Sequence, residues 1–322
     1  MTISSTSPKP EVRFHTVSGE EAGQRIDNFL IRILKSVPKS MIYRILRKGE
    51  VRVNKGRIKP EYRLKDQDVV RIPPVRVREE SARINHKHIA LLEDRILFED
   101  DRLIIMNKPA GMAVHGGSGV SSGVIEALRA ARPKAPYLEL VHRLDRETSG
   151  CLMIAKKRSM LRHLHELLRE GRIDKYYLAL TQGHWPEQSC WIDAPLHKNQ
   201  MKSGERMVRV SPQGKPARSG FSSLERYAGA SLVEVRLDTG RTHQIRVHAA
   251  HAGHPLAGDE KYGDPAFNAA LRRQGLKRLF LHAHRLVLSG PGSAAEIDVS
   301  APLDPALRRV LDGLATARGE RG

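Results

Sequence analysis

Negative charge is what this chain is shortest of. Its 322 residues carry 55 lysines and arginines against 36 aspartates and glutamates, a formal net charge of +19. That excess excludes an acidic, solvating protein and implies a polyanionic partner, either nucleic acid or an acidic membrane surface. Long apolar runs are also missing. Nothing approaches the ~18 to 20 consecutive apolar residues of a membrane-crossing helix, and Met1 to Pro10 has no apolar core of signal-peptide type. With no membrane anchor in view, nucleic acid is the better partner and no membrane partner is expected. Cysteine is scarce. Cys151 and Cys190 form no CxxC pair, which argues against a disulfide scaffold and for a reducing, cytoplasmic setting. Aromatic residues make up only 5% of the chain, so the adjacent pair Tyr176-Tyr177 stands out. What the chain has in quantity is apolar residues, 40% of the total. That suffices for a packed core, in one large domain and one smaller one.

Residues 1–17 are polar and rich in Ser, Thr and Pro, and read as a flexible tail. Residues 18–80 read as a compact module. Ile26, Phe29, Leu30, Ile33 and Leu34 mark one face of an amphipathic helix. After Pro38, Ile42, Ile45 and Leu46 mark a second, which Gly49 can close. A small hairpin from Val51 to Gly56 and a strand-like run from Asp68 to Ile72 follow. The polar positions are mostly basic, and acidic residues between Gln24 and Pro60 are few. One-signed charge on a small module is the footprint of phosphate binding, although such charge can also be plain solvated surface. The candidate RNA contacts are Lys39, Arg44, Arg47, Lys48, Arg52 and Lys55. Pro38 to Arg44 and Gly49 to Asn54 resemble the αL RNA-binding domain first described in a small-subunit ribosomal protein, a resemblance covering about residues 20–75. Charged residues 81–95 read as a linker, and 96–322 as the large domain.

In the large domain, short apolar runs are separated by turns rather than by regular crossover helices. That pattern predicts an α+β domain with a largely antiparallel sheet flanked by helices. Strands are expected around Leu103 to Met106, Cys151 to Ala155, Asp174 to Leu180, Ser231 to Leu237, Leu279 to Ala283 and Arg285 to Leu288. Ser159 is placed to cap a helix ending at Gly171, and a short polar helix follows Pro305. The glycine cluster from His115 to Gly119 is neither a P-loop nor GxGxxG, so a nucleotide site has little support.

Val141-His142-Arg143-Leu144-Asp145-Arg146-Glu147-Thr148-Ser149-Gly150 reads as a charged loop between two buried strands. Arg143 and Arg146 bracket Asp145, which keeps that carboxylate ionised. An ionised carboxylate is a poor proton shuttle but can act as a nucleophile. The same pattern would also suit a salt-bridged turn with no chemistry. A second polar stretch, Asp238 to His248, reads as a loop opening a helix. His243, His248, His251 and His254 cluster there, but not at HExxH spacing, so no metal is expected. Arg241 and Arg246 are too far apart on a helix to share a direction, so one can bind phosphate while the other turns inward to a buried acid. Adjacent strand residues face opposite ways, so one of Tyr176 and Tyr177 packs in the core while the other faces a site.

Several of these segments together resemble pseudouridine synthases acting on RNA, the family that contains the large-subunit ribosomal RNA enzymes. They are Asn107-Lys108-Pro109, His142 to Gly150, Lys175-Tyr176-Tyr177, Gly240 to His248, Gly253-His254-Pro255, and Gly258-Asp259 with Tyr262-Gly263. The resemblance spans about residues 96–290, and its HRLD block is highly specific. It implies that Asp145 is the nucleophile, attacking either the sugar C1′ or uracil C6. It implies that Tyr176 packs on the target base and assists proton removal at C5, that Arg246 pairs with the catalytic carboxylate, and that Arg143 fills the gap left by the flipped uridine. It also implies no cofactor, and 23S rRNA as partner, free or in an assembling large subunit, with the protein acting as a monomer. Competing readings are a non-catalytic RNA-binding or ribosome-assembly factor, a synthase acting on other RNA such as tRNA, and a hydrolase using Ser149. The last is weakened because Ser149 lies in no GxSxG elbow.

Overall fold

A computed structural model describes residues 11–34, 37, 39–75, 91–116, 122–200, 206–288 and 297–319. The chain divides into two compact units, Met1–Arg83 and Ile84–Gly322.

The first unit contains β1 (Arg13–Thr16), α1 (Ile26–Ile33), α2 (Lys39–Arg47), β2 (Arg52–Val53), β3 (Gly56–Arg57) and β4 (Val69–Ile72). Its sheet runs β1-β4-β2-β3, every pairing antiparallel. The apolar stripes of both helices close over one sheet face, where Phe29, Leu30, Ile42 and Ile45 meet Val53, Val70 and Ile72. Strand β1 corrects the expected tail over 11–17, while residues 1–10 of it lie outside the described residues. Its four residues alternate too weakly to announce a strand, but β4 offers an unpaired edge, and Val17 N–H extends the pairing to Asp68 O at 2.8 Å. Of the expected linker, 81–90 lie outside the described residues. Leu92 is fully buried in the second unit's core, so 91–95 already belong to that unit.

The second unit contains β5 (Ile96–Glu99), β6 (Leu103–Lys108), α3 (Val124–Ala131), β7 (Glu139–Leu140), β8 (Ser149–Ala155), α4 (Arg158–Arg169) and β9 (Ile173–Gln182). Then follow β10 (Cys190–Asp193), β11 (Leu196–Gln200), β12 (Arg206–Val210), β13 (Arg218–Tyr227), β14 (Ala230–Leu237) and α5 (Gln244–His251). The described residues end with α6 (Pro265–Arg273), β15 (Leu281–Leu288), β16 (Ile297–Ser300) and α7 (Pro305–Gly319). The main sheet runs β10-β13-β14-β9-β15-β8-β6-β5, with β16 beside β15 and β7 beside β8. Only β8 and β15 pair in parallel among the described strands, which makes the expected α+β, largely antiparallel architecture the observed one. Helices α3 and α5 cover one face with Val124, Leu128 and Ile245, while α4 covers part of the other with Met160 and Leu164.

Three local expectations are corrected. The expected strands at 279–283 and 285–288 merge into one, β15, which starts at Leu281 and has an irregularity between Ala283 and Arg285 that split the apolar pattern in two. Helix α4 begins at Arg158 after an N-cap at Lys157 that makes no side-chain bond, so Ser159 is not the cap. Helix α7 is amphipathic rather than polar, burying Leu307, Val310, Leu311 and Leu314.

Strand β8 is buried along its whole length, as a central strand covered on both faces must be. Gly150 near its start holds φ +108°, and a Cβ there would lie 2.2 Å from Ala283 O on β15. Glycine is therefore required where the charged loop runs into the parallel pair.

Candidate active site

The loop before β8 is held from four sides, and its backbone geometry is set before any ligand arrives. His142 Nε2 accepts the Met153 N–H at 3.1 Å. Leu144 is 6% exposed, packed into the core beneath the sheet. Arg146 O accepts from Gly111 N–H at 2.9 Å and from Lys108 Nζ at 3.1 Å. Thr148 N–H turns back to Asp145 O at 3.1 Å. Lys108 is fully buried, and its Nζ also donates to Pro109 O and Met112 O, both at 2.8 Å. Burial lowers its pKa to about 7, yet three carbonyl acceptors match the three N–H groups of the ammonium form. The Asn107-Lys108-Pro109 segment thus works as a clamp on the Asp145 loop.

Asp145 emerges from this scaffold half-buried. Its Oδ2 lies 3.6 Å from Arg246 Nη1 and 3.8 Å from His243 Nε2. Arg246 makes its closest bonds elsewhere. Its Nε and Nη2 form a bidentate pair with Asp259, both at 2.7 Å, and the Asp259 side chain is wholly buried. Asp259 Oδ1 also accepts the N–H groups of Lys261 at 2.9 Å and Tyr262 at 3.0 Å. Burial pushes the Asp259 carboxyl up, but Arg246 and these amides together hold it below the usual carboxylate range. So Arg246 is fixed by Asp259 and presents its remaining nitrogen to Asp145.

The turn into α5 explains the residues from Thr239 to His248. Gln244 Oε1 accepts from Thr239 Oγ1 at 2.8 Å and from Arg241 N–H at 2.9 Å. Its Nε2 donates to Arg218 O and Ser219 Oγ. That support holds His243 in the left-handed region, φ 54°, which a non-glycine residue adopts only when its surroundings impose it. Tyr262 Oη accepts the Val208 N–H at 3.0 Å and lies at hydrogen-bond distance, 2.8 Å, from His243 Nδ1. The ring's other nitrogen, Nε2, faces Asp145. Burial lowers the His243 pKa, and the nearby Asp145 charge opposes that only in part.

Asp145, Arg143, Thr148, Tyr177, Arg241, His243 and Arg246 line one cleft. Tyr176 does not, which corrects its expected role. Alternation along β9 puts Tyr177 on the Asp145 side, among Leu144, Val235 and Leu281. Tyr176 faces the other way, edge-on to His284 at 6.5 Å and beneath the Arg285 guanidinium at 5.6 Å. Burial, and then the Asp145 charge, hold the Tyr177 hydroxyl well above the usual phenol range, so it stays protonated. Arg143 is exposed at the cleft rim rather than paired with Asp145, and Arg146 turns to Gly111 O at 2.9 Å.

Two other histidines of that cluster are structural. His248 is fully buried between Ser219 Oγ and Ala194 O, and His254 Nδ1 meets Gln182 O. Ser149 lies 2.9 Å from His282 Nδ1, but the two are 2% and 1% exposed, so no substrate reaches that pair. The hydrolase reading loses its site. Burial lowers both His142 and His282 to about 4. A histidine free in the unfolded chain titrates near ~6.5, so below that pH the unfolded state binds more protons. Stability is therefore full above about pH 6.5 and falls as the pH drops toward 4. Urea midpoints taken at about pH 7.5 and about pH 5 check this, and equal midpoints would refute it.

In the first unit, Arg44, Arg47, Lys48, Arg52 and Lys55 are exposed, while the Lys39 side chain lies outside the described residues. Lys48, Arg52 and Lys55 share one groove. Sequence reasoning did not find Tyr177, His243, Asp259 and Tyr262 as members of the site. The quoted segments contain all four, but only pairing across the fold brings them to Asp145.

The description of the RNA pseudouridylate synthase family matches residues 102–251, and that of the S4 domain matches residues 24–70. Ribosomal large subunit pseudouridine synthase C of Pasteurella multocida is 58% identical over 306 residues, 94% of each chain. Its namesake in Escherichia coli strain K12 is 58% identical over 314 residues, 96% of this chain and 98% of that one. Among solved structures, human RNA pseudouridylate synthase domain containing 4 superposes with a TM-score of 0.60 at 28% identity, covering 71% of this chain and 96% of that one.

Proposed function

The chain belongs to the RNA pseudouridylate synthase family and carries an N-terminal S4 domain, and from that premise we propose that it isomerises uridines of 23S ribosomal RNA to pseudouridine. The single observation carrying the mechanism is the Asp145 carboxylate, held on a fixed loop at 3.6 Å from an arginine that a second, buried acid positions.

Isomerisation breaks the C1′–N1 bond, turns the uracil, and joins C5 to C1′. The C5 proton leaves and N1 gains one, so atoms balance without any redox partner. The base must leave its stack, at a cost of a few kcal/mol that contacts in the protein recover. Arg143, exposed at the cleft rim, fills the vacated position in this reading. Asp145 attacks as the nucleophile, with Arg246 as the cation beside its carboxylate. Tyr177 supplies the ring against the base. Its protonated hydroxyl makes it a packing group rather than a base for the C5 proton. Neutral His243, near Asp145, is better suited to exchange protons with the substrate.

The S4 unit supplies electrostatic attraction to RNA, in line with the net charge of +19. No described helix is long and apolar enough to cross a membrane. We further infer that the protein acts as a monomer in the cytoplasm, on free 23S rRNA or on an assembling large subunit.

Incubation of the protein with a 23S rRNA transcript, followed by pseudouridine mapping, tests the reading. Binding with every uridine unchanged would sink it, and conversion in tRNA alone would move the substrate. The two tyrosines give a sharper check. Tyr177→Ala is expected to slow conversion by about 10²-fold, as misplaced substrates do. Tyr176→Ala, remote from the cleft, should stay within about threefold of wild type. The reverse ranking would restore Tyr176 as the stacking residue.

A further inference from the structure

The first unit has an open sheet face that the helices do not cover. Antiparallel register sets Phe14 opposite Arg71, Arg71 opposite Arg52, and Arg52 opposite Arg57. Directly paired residues share a face, so one aromatic ring and three guanidinium groups form a single row across β1, β4, β2 and β3. Strand spacing of about 4.8 Å gives that row a span of about 14 Å. Phe14 is 69% exposed, in a chain where aromatic residues are few. Val69, two residues from Arg71 along β4, is 40% exposed on the same face.

The face borders a groove of about 1050 Å³ lined by Phe14, Lys48, Arg52, Lys55, Val69 and Arg71, with Glu50 as its single acid. Among the described residues, Lys48 alone of these cations approaches a carboxylate, Glu50 at 3.9 Å. Arg52 and Arg71 instead donate to the carbonyls of Gly49 and Glu50, which holds their guanidinium groups at the groove with further N–H donors to spare, while Arg57 beside them donates to Lys48 O. An exposed ring left on a flat sheet disfavours solvent. Beside uncompensated cations, it matches a ligand that offers a π-face and a negative backbone together.

We propose that this sheet face is a second RNA site, at which Phe14 stacks an unpaired base and Arg52, Lys55 and Arg71 hold the flanking phosphates. The proposal deepens the RNA-modifying reading and rests on it. Paired bases show a flat sheet only their edges and backbone, whereas unpaired bases expose faces for stacking, so the occupant is single-stranded RNA. Phe14 and Arg71 both fall outside residues 24–70 matched by the S4 description, so the site adds to that match.

The test uses the full chain and fluorescein-labelled oligoadenylate, which has no uridine for the catalytic cleft. Phe14→Ala is expected to weaken that binding by about tenfold, with Phe14→Trp restoring it. Arg71→Ala should lower the slope of log affinity against log salt by about one. A G·C-paired RNA duplex should bind the Phe14→Ala variant as it binds wild type. Unchanged oligoadenylate affinity in Phe14→Ala would overturn the proposal, as would an equal loss on the duplex. So would a lowered melting temperature in that variant, since Phe14 would then be covered by the chain's own residues. Conversion of uridine in a 23S transcript, measured in parallel, reports on the enzyme reading alone, so the two fail separately.

Discussion

Asp145→Asn is expected to abolish pseudouridine formation, by at least ~10³-fold, while leaving RNA affinity and melting temperature near wild type. Asparagine keeps the shape and the hydrogen-bonding reach of aspartate but removes the charge that attacks carbon. The loop should not move, because its anchors are backbone groups and other side chains. His142, Lys108 and Gly111 hold it, and none of them bonds the Asp145 carboxylate. The carboxylate's nearest cation stands at 3.6 Å, beyond a tight hydrogen bond, so losing that contact releases little folding energy. Single-turnover conversion of a 23S transcript, beside filter binding of the same RNA, reads both quantities. An Asn variant that converts uridine at the wild-type rate would remove Asp145 from the chemistry and favour a purely RNA-binding protein.

The second large effect concerns Arg246, where stability and activity separate. Its bidentate partner Asp259 is fully buried, so Arg246→Met leaves an unpaired charge inside the protein. Breaking one side of such a pair costs about 3–5 kcal/mol. For a unit of this size, each kcal/mol shifts the melting temperature by roughly 2–4 °C, so a fall of about 10 °C is expected. Removing both charges in Arg246→Met/Asp259→Leu should recover much of that loss, because replacing a whole buried pair by apolar groups is often neutral. Activity should not recover, since Asp145 would still lack its cation. Thermal unfolding and uridine conversion of the single and double variants form the measurement. A double variant that regained both would show that Arg246 serves the fold alone.

The two parts of Arg246's role show where sequence reasoning stopped. Arg241 lies in the turn before α5 and lines the same cleft as Arg246, so helical spacing did not separate the two, but an inward arginine still needs a buried acid. Asp145, given by resemblance, was the expected one. The structure puts Asp259 closer, at 2.7 Å against 3.6 Å, because the turn after α5 folds its backbone amides around that carboxylate. Tyrosine choice failed for a related reason. Period-two alternation shows that Tyr176 and Tyr177 face opposite ways, but which face holds the site depends on how β9 registers with β14 and β15. Strand β1 was missed because four residues of weak alternation gain their stability from a partner edge far along the chain.

What the sequence determined by itself is local or compositional. The helix stripes of α1 and α2, the charged loop before β8, the turn into α5, the RNA partner implied by net charge and the largely antiparallel α+β architecture all follow from residue type and short-range spacing. Tertiary structure alone decided which side chains meet. Asp145, Tyr177, His243, Arg246 and Asp259 come from four separate segments, and their contacts depend on strand register, one parallel pairing and a left-handed turn. Those are properties of the packed sheet, in which a one-residue slip would turn every side chain to the other face.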